Sequence, residues 1–340
     1  MPVYEKYNFT PFLADFALTQ DNNGLDCIVC IVKATYAFSD LGETAAIERE
    51  EMSPILGADQ FHGSPEESSL LYPADIVYDK QGTDVIINGH AYAHGKAAVD
   101  AGFKLGSMSK ILRCFGTRRW ERGLSGYHIS PPEPYDHLAL KYELAFGGSI
   151  TGNDGNRKAF PYNPVGVGYT TGNAEGQLLP HIEYRQHLIA TPRDCPPPAA
   201  FGAVPRHWRQ RVEHAGTYDE AWMASRRPLL PLDFDLRFHN AVAQDQVSTP
   251  VLRGGEELIL YRLHPRVPEL RLVLPRPSPV ATLRVDRKSR SFPMVMDTLA
   301  VEPDDNRLTM TFRCTCPLDG RHTLLKSVHF QSDEDPVRPS

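Results

Sequence analysis

The chain has 340 residues, of which 41% are hydrophobic, 9% aromatic and 23% charged, with a formal net charge of −6. This length predicts about two domains, or one large domain with an elaborate insertion, and the apolar fraction is sufficient for a substantial core. The composition excludes a disordered chain and a disulfide-stapled small domain, and the weakly acidic balance lacks the basic character of a nucleic-acid-binding domain.

The beginning of the chain has no positively charged stretch followed by an apolar run, so we expect no secretory signal. The longest unbroken apolar run, residues 27–32, is far too short to span a bilayer. We therefore predict a cytoplasmic protein with reduced thiols and no membrane insertion.

Charge is distributed unevenly along the chain. Residues 1–80 contain fourteen acidic and four basic residues, a net of −10, whereas residues 253–290 contain nine basic and four acidic residues, a net of +5. Either the two ends neutralise each other in the fold, or a charged face steers a partner. The basic stretch has no aromatic residue between Arg262 and Arg290, so we predict no nucleic-acid partner.

The N-terminal region, residues 1–150, is predicted to be β-rich. Its segments are β-branched or aromatic, or alternate between apolar and polar residues, and turn residues separate them at intervals of about ten. The predicted strands cover residues 27–38, 83–93, 97–105, 109–115 and 138–144. This pattern favours a mainly β fold with antiparallel sheets in a β-sandwich or barrel-like arrangement.

The central segment, residues 151–247, is predicted to be ordered and rich in loops. Its part from 160 to 246 is dense in proline and glycine but also contains tryptophan, tyrosine and phenylalanine, unlike a flexible linker. Two short helices are predicted, at residues 205–214 and 218–226. For the second, Thr217 is the predicted N-cap and Glu220 completes a capping box, while Tyr218 and Trp222 share a helix face.

The C-terminal region, residues 248–330, is again predicted to be β-rich. Short runs with a period of two predict strands at residues 257–263, 269–274, 280–285, 298–302 and 308–312. Residues 304–306 form the predicted hairpin turn before the last of these strands. Residues 331–340 are polar and unpatterned, and we predict a disordered tail.

The cysteines give no metal or redox motif of recognised spacing. Cys27 and Cys30 match CxxC, but in a strand residues three apart point to opposite faces. Cys314 and Cys316 share a face, yet no second pair lies at zinc spacing. We therefore predict no metal site.

Paired carboxylates raise the alternative of a carbohydrate-acting hydrolase on a β scaffold. Asp233, Asp235 and Asp245 are its best candidates, although their turn and loop context is typical of structural aspartates. No G-x-S-x-G elbow occurs, and Gly166 and Gly168 lack the third glycine, preceding strand and following helix of a dinucleotide site. We therefore predict no cofactor and no enzyme, with the hydrolase and a structural assembly component kept as alternatives.

Taken in order, short strings along the chain resemble a bacterial family known as domain of unknown function 2169. The resemblance covers roughly residues 20–314 and rests on the order and number of its pieces. These are Thr83-Asp84-Val85 with Gly89 and Ala91; Gly116 with Arg118 and Trp120; Tyr142-Glu143-Leu144-Ala145-Phe146-Gly147-Gly148; Asn163-Pro164-Val165-Gly166-Val167-Gly168; Leu179-Pro180 with Glu183; Phe201-Gly202 with Trp208; Gly216-Thr217-Tyr218-Asp219 with Trp222; Pro231; Asp233-Phe234; Asp245-Gln246; Gly254-Gly255-Glu256; and Leu274-Pro275.

The chain departs from the family pattern at a few positions. Thr117 stands where the family usually has an acidic residue, and His181 where it favours asparagine. Ala200 replaces a usual glycine, which predicts strain or a different loop if that position needs a positive φ.

The resemblance implies an accessory role in type VI secretion, because family members are often encoded beside its components. A protein of this kind is an adaptor or chaperone that binds a toxic effector in the cytoplasm and helps to load it onto the spike proteins. The family carries no established enzymatic residues. The partners expected on this basis are a secreted effector and a spike protein.

Two sets of candidate residues follow. Interfaces favour tryptophan, tyrosine and arginine, so the predicted partner contacts are Trp208, Arg209, Tyr218, Trp222 and Arg226. Addition of a strand at an exposed sheet edge is another possible mode of binding. The residues predicted to serve the fold are Asn163, Gly166, Gly168, Gly216, Thr217, Asp219, Glu220, Asp233 and Asp245.

Overall fold

The computed structural model describes residues 4–151, 155–170, 172–318, 320 and 322–332. The prediction of a mainly β fold with a loop-rich centre and two short helices is confirmed. The described strands form open sheets, two of them mixed rather than purely antiparallel, and none closes into a barrel.

The strands are numbered in chain order. Those before residue 100 are β1 (Glu5–Asn8), β2 (Leu13–Gln20), β3 (Asp26–Phe38), β4 (Thr44–Ala46), β5 (Gln60–Phe61), β6 (Leu70–Tyr72), β7 (Thr83–Ile87), β8 (His90–Lys96) and β9 (Ala98–Leu105). The next are β10 (Met108–Phe115), β11 (Trp120–Gly123), β12 (Gly126–Ile129), β13 (Tyr135–Ala139), β14 (Phe146–Gly147), β15 (Ser149–Thr151), β16 (Arg157–Ala159), β17 (Val167–Gly168) and β18 (Ile182–Tyr184). The last are β19 (Val247–Ser248), β20 (Glu257–Tyr261), β21 (Glu269–Val273), β22 (Pro279–Val285), β23 (Lys288–Pro293), β24 (Val295–Glu302), β25 (Arg307–Pro317) and β26 (Leu325–Ser332). The two helices are α1 (Arg209–Val212) and α2 (Glu220–Ser225).

Three sheets build the body of the protein. A seven-stranded sheet has the order β19-β7-β24-β25-β3-β2, with β4 beside β3. A five-stranded sheet has the order β18-β10-β9-β20-β21, and a four-stranded sheet the order β1-β26-β22-β23. Each of the three combines strands from both ends of the chain, so the boundaries predicted near residues 150 and 247 do not separate one sheet from another.

The two faces of the seven-stranded sheet differ in chemistry because side chains alternate along each strand. One face supplies Ile28, Val32, Met310 and Phe312 to a continuous apolar core that also includes residues of the other two sheets. The opposite face carries a small apolar cluster around Ile86 and many buried polar groups. The central segment covers part of this second face.

Most predicted strands lie where the sequence places them, including β3, β9, β10 and β20 to β22. The run 83–93 divides into β7 and β8, because the chain leaves the strand at Asn88, whose amide donates to the Leu71 carbonyl at 3.0 Å. Residues 138–144 form the end of β13 and then a 3-10 turn at Tyr142–Leu144. The predicted turn before β25 is present, with Asn306 in the left-handed region at φ 52°.

The helices are shorter than predicted, and the predicted cap of the second is wrong. Asp219 is the N-cap of α2, since its carboxylate accepts a hydrogen bond from the Trp222 amide at 2.9 Å. The Thr217 hydroxyl instead donates to Asp233 at 2.7 Å. Because the Thr217 hydroxyl is bound to a residue sixteen positions later, it does not cap the helix. Asp219, the next suitable side chain, is the cap instead.

Three further expectations can be compared with the structure. Ala200 is not among the described residues of positive φ, so it causes no strain of the predicted kind. Strand β26 extends to Ser332, and the rest of the predicted tail, residues 333–340, lies outside the described residues. Within the described ranges, no helix combines the length and apolar character needed to cross a membrane.

Candidate functional site

Asn163 fastens the first loop of the central segment. Its side chain is fully buried, and its amide donates to the carbonyls of Tyr142 at 2.8 Å and Phe146 at 3.0 Å. Gly166 is required beside it, because a Cβ there would lie 2.4 Å from the Asn163 amide nitrogen. Gly168 has a φ of 96°, which favours glycine. These residues organise the loop backbone.

Asp84 of β7 anchors the end of the central segment to the polar face of the large sheet. Its buried carboxylate accepts from the Lys80 ammonium at 2.8 Å, the Asn240 amide at 2.7 Å and the Ala241 backbone N–H at 2.8 Å. Lys80 is also buried, and burial lowers its pKa. The sequence did not predict this role of Asp84, because Asn240 and Ala241 lie far away along the chain.

Asp245 and Gln246 form a second anchor. The buried Lys110 ammonium donates to Asp245 at 3.0 Å and to the Gln246 side chain at 2.7 Å. The Gln246 amide donates in turn to the carbonyls of Val85 and Phe201, both at 2.8 Å. The Tyr184 hydroxyl completes the arrangement by donating to Asp245 at 2.9 Å. The segment is thereby joined to the five-stranded and the seven-stranded sheets at one point.

The remaining carboxylates of the hydrolase alternative are also engaged. Asp233 accepts from the backbone and hydroxyl of Thr217, and these bonds lower its pKa. Asp235 is bound by the Arg237 guanidinium and the Arg237 N–H, which lower its pKa. A glycosidase general acid needs a raised pKa. The hydrogen bonds of Asp233, Asp235 and Asp245 are those of carboxylates that stabilise the fold.

Helix α2 and its flanks lie against the turn between β2 and β3. The Arg226 guanidinium donates to the Asn22 carbonyl in that turn, and to the Leu230 carbonyl at 2.9 Å. Leu229 packs on Gly24, where a Cβ would lie 2.9 Å from the leucine methyl. The Trp222 indole donates to the Leu229 carbonyl at 2.8 Å. A short helix is thus held in a defined position at the surface.

This position leaves apolar side chains in solvent. Tyr218 is 52% exposed, Met223 60% and Leu232 87%, and Leu25 of the adjacent turn is 59% exposed. The Tyr218 ring packs edge-on against Trp222, with centroids 4.7 Å apart, so the two aromatic rings hold each other in place. We call these five residues, Leu25, Tyr218, Trp222, Met223 and Leu232, the α2 surface.

The five predicted partner contacts do not form one group. Tyr218, Trp222 and Arg226 belong to α2 and its flanks. Arg209 lies at the start of α1, is exposed and pairs with Glu213 at 2.9 Å. Trp208 is 1% exposed, so its prediction as a surface contact is wrong. Its ring packs at 87° on that of Tyr142, which belongs to a buried cluster with Ala145, Ala200 and Val204.

A cleft of about 300 Å³ opens on the polar face of the large sheet, and most of its charged lining residues are paired. Lys33 binds Asp75 at 2.8 Å, and Arg307 binds Glu302 at 2.6 Å. The remaining polar lining consists mainly of hydroxyls, including those of Thr309 and Thr311. Among the charged lining residues, only Glu51 has no ion pair, and it is exposed to solvent, so the cleft is a weaker candidate than the α2 surface.

His239, near the end of the central segment, makes stability depend on pH. Burial, with the nearby charges of Arg211, Arg206, Lys80 and Arg313, lowers its pKa from 6.5 to about 4. The pKa of His239 is lower in the folded protein than in the unfolded one. The neutral imidazole therefore contributes fully to stability above pH 6.5, and this contribution is lost as the pH falls towards 4. We expect the unfolding free energy of the wild type to fall across this window.

The measurement is denaturant unfolding at several pH values, with a His239→Gln variant. Its stability should decline less steeply than that of the wild type, because no imidazole has to be kept neutral. The control is His128→Gln, at a side chain 57% exposed in a hairpin. Equal pH slopes for the wild type and His239→Gln would contradict the prediction.

The described architecture defines a mainly β protein of interlocked open sheets, in which a loop-rich central segment is fixed by buried polar anchors and presents a short aromatic helix. The chain belongs to the family described as an uncharacterized protein conserved in bacteria, domain of unknown function 2169, whose family model matches residues 23–313. Comparison with curated proteins and with solved structures gave no match.

Proposed function

We propose that the protein is an accessory protein of bacterial type VI secretion. In this role it is a cytoplasmic adaptor that binds a toxic effector and helps to load it onto the spike. The support is family membership, together with the implication of the resemblance that such proteins serve this secretion system. The structural support for the proposal is the α2 surface, because it presents exposed apolar side chains on a helix that is held in a defined position.

The composition of the α2 surface suits protein binding. Interface cores are enriched in tyrosine, tryptophan and methionine, and the α2 surface contains one of each. Arg226 and Arg227 follow α2 directly in sequence, and the exposed Arg227 supplies a basic charge beside this core. Arg226 is committed to the β2–β3 turn and therefore acts by positioning the surface.

The pre-set geometry lowers the cost of binding. The edge-on contact of Tyr218 and Trp222, and the hydrogen bond from Trp222 to Leu229, restrict both rings before any partner arrives. Less side-chain freedom is then lost on association. If the protein binds only the folded form of the effector, it stabilises that form by mass action. This stabilisation is what a chaperone role requires thermodynamically.

The test uses the double variant Tyr218→Ala/Met223→Ser. Removing two exposed apolar contacts should weaken effector binding at least about tenfold, with little change in melting temperature. Binding is measured by calorimetry with the effector copurified from the native bacterium. The control is Leu124→Ser, which removes a fully exposed apolar side chain from the β11–β12 turn.

Two results would count against separate parts of the proposal. A pull-down from the native bacterium that recovers neither a spike protein nor a toxin-like partner would overturn the adaptor role. If the partner is recovered but binds the double variant with wild-type affinity, the α2 surface is not the binding site. If the effector is equally stable without this protein in coexpression, the chaperone part fails.

A further inference from the structure

Three cysteines from two strands converge at one point between the seven-stranded and four-stranded sheets. Cys30 of β3 lies directly opposite Cys314 of β25, and Cys316 is the next residue of β25 on the same face. Their Sγ atoms all lie within 4.8 Å of one another, and those of Cys314 and Cys316 are 3.7 Å apart. The remaining CxxC residue, Cys27, faces the other way and contacts the carbonyls of Thr19 and Leu25.

The spacing of the three sulfurs fits coordination to a single metal ion. With metal–sulfur bonds of about 2.3 Å, sulfurs around a tetrahedral or trigonal ion are separated by about 3.8–4.0 Å. The observed separations require only a small adjustment of side-chain torsions. No backbone movement is needed, because β3 and β25 are held in register along their whole length.

A basic side chain and a small cleft lie beside the three thiols. The positive charge of Arg290 on β23 is close enough to Cys316 to act on it electrostatically. A small cleft of about 50 Å³ lies beside the end of β25 and is bordered by Arg290, Lys288 and Pro317. Cys314 is only half-buried, which leaves a route for an ion.

We propose that Cys30, Cys314 and Cys316 form a binding site for one soft, thiophilic metal ion, with Cu(I) as the ion that fits best. Among the described residues, no fourth histidine, cysteine or carboxylate joins the group. Thiolate ligands select soft ions, and Cu(I) is satisfied by three sulfurs, whereas structural Zn(II) requires four protein ligands. Binding displaces the thiol protons to solvent, so the affinity rises with pH.

The test is a titration of the fully reduced full-length protein with Cu(I) under anaerobic conditions, against bathocuproine disulfonate as a competing chelator. We expect one Cu(I) per chain, a first shell of sulfur by X-ray absorption, and a higher melting temperature with Cu(I) than without it. Cys314→Ala and Cys316→Ala should each weaken binding more than about 100-fold, since ligand loss exceeds the effect of outer-shell changes.

The controls are Cys27→Ser, on the same strand as Cys30 but on its other face, and Cys195→Ser at an exposed loop. Both should retain wild-type Cu(I) affinity. Circular dichroism of each variant verifies that it is folded, and Cys314→Ala, at the least buried of the three positions, is the decisive one. Failure of the reduced wild type to hold Cu(I) against the chelator, or wild-type affinity in folded Cys314→Ala, would overturn the proposal.

Discussion

Replacing Asp84 with alanine should lower the unfolding free energy by about 3–5 kcal/mol, because it leaves a buried ammonium without its counter-ion. Lys80 and Asp84 are both almost completely inaccessible, and no solvent would replace the lost carboxylate. The change also removes the acceptor for the Asn240 and Ala241 donors, so the end of the central segment loses its attachment to β7. The measurement is urea unfolding followed by fluorescence and circular dichroism.

Two further variants isolate the cause. Asp15→Ala removes an aspartate whose pair with Lys6 is exposed, and it should cost far less. The double variant Lys80→Met/Asp84→Asn removes both charges and keeps an acceptor for Asn240, so it should recover part of the loss. If Asp84→Ala is as stable as the wild type, the anchor does not hold the central segment.

The second large effect concerns Trp208, which sequence composition suggested as a partner contact. Trp208→Ala should cost about 3–5 kcal/mol of stability, because it removes a large side chain from a closed cluster. Its ring packs on Tyr142 with centroids 5.3 Å apart, and little of it reaches solvent. Calorimetric melting of the purified variant gives the value.

Trp222→Ala is the matched substitution, because this tryptophan is half-exposed on the α2 surface. It should lose less stability than Trp208→Ala but more affinity for the proposed effector. The opposite result, in which Trp208→Ala is stable but deficient in binding, would show that Trp208 contacts the partner.

Local signals in the sequence predicted local structure well. The hairpin of β9 and β10 follows from alternating residues around Gly106 and Ser107, and the turn predicted before β25 is present, with Asn306 in the left-handed region. The cap of α2 shows where such reasoning ends. Thr217 and Asp219 are both good caps, and the choice between them depends on Asp233, which only the tertiary structure brings near.

The features that the sequence could not supply are all long-range. Asp84 meets Asn240, Lys110 meets Asp245, and Cys30 meets Cys314, each across more than a hundred residues. The resemblance of ordered short strings predicted the family, and Asn163 and Asp245 were predicted to serve the fold. It could not predict which polar group each buried charge would find.

The seven-stranded sheet also has a consequence for synthesis of the protein on the ribosome. Strand β3 receives its partner β25 only after nearly the whole chain has been made, and β7 likewise waits for β24. At about 5–20 residues per second, the apolar residues of β3 remain without that partner for tens of seconds or so. Such late pairing predicts slow folding and a nascent chain that is prone to aggregation until β24 and β25 emerge.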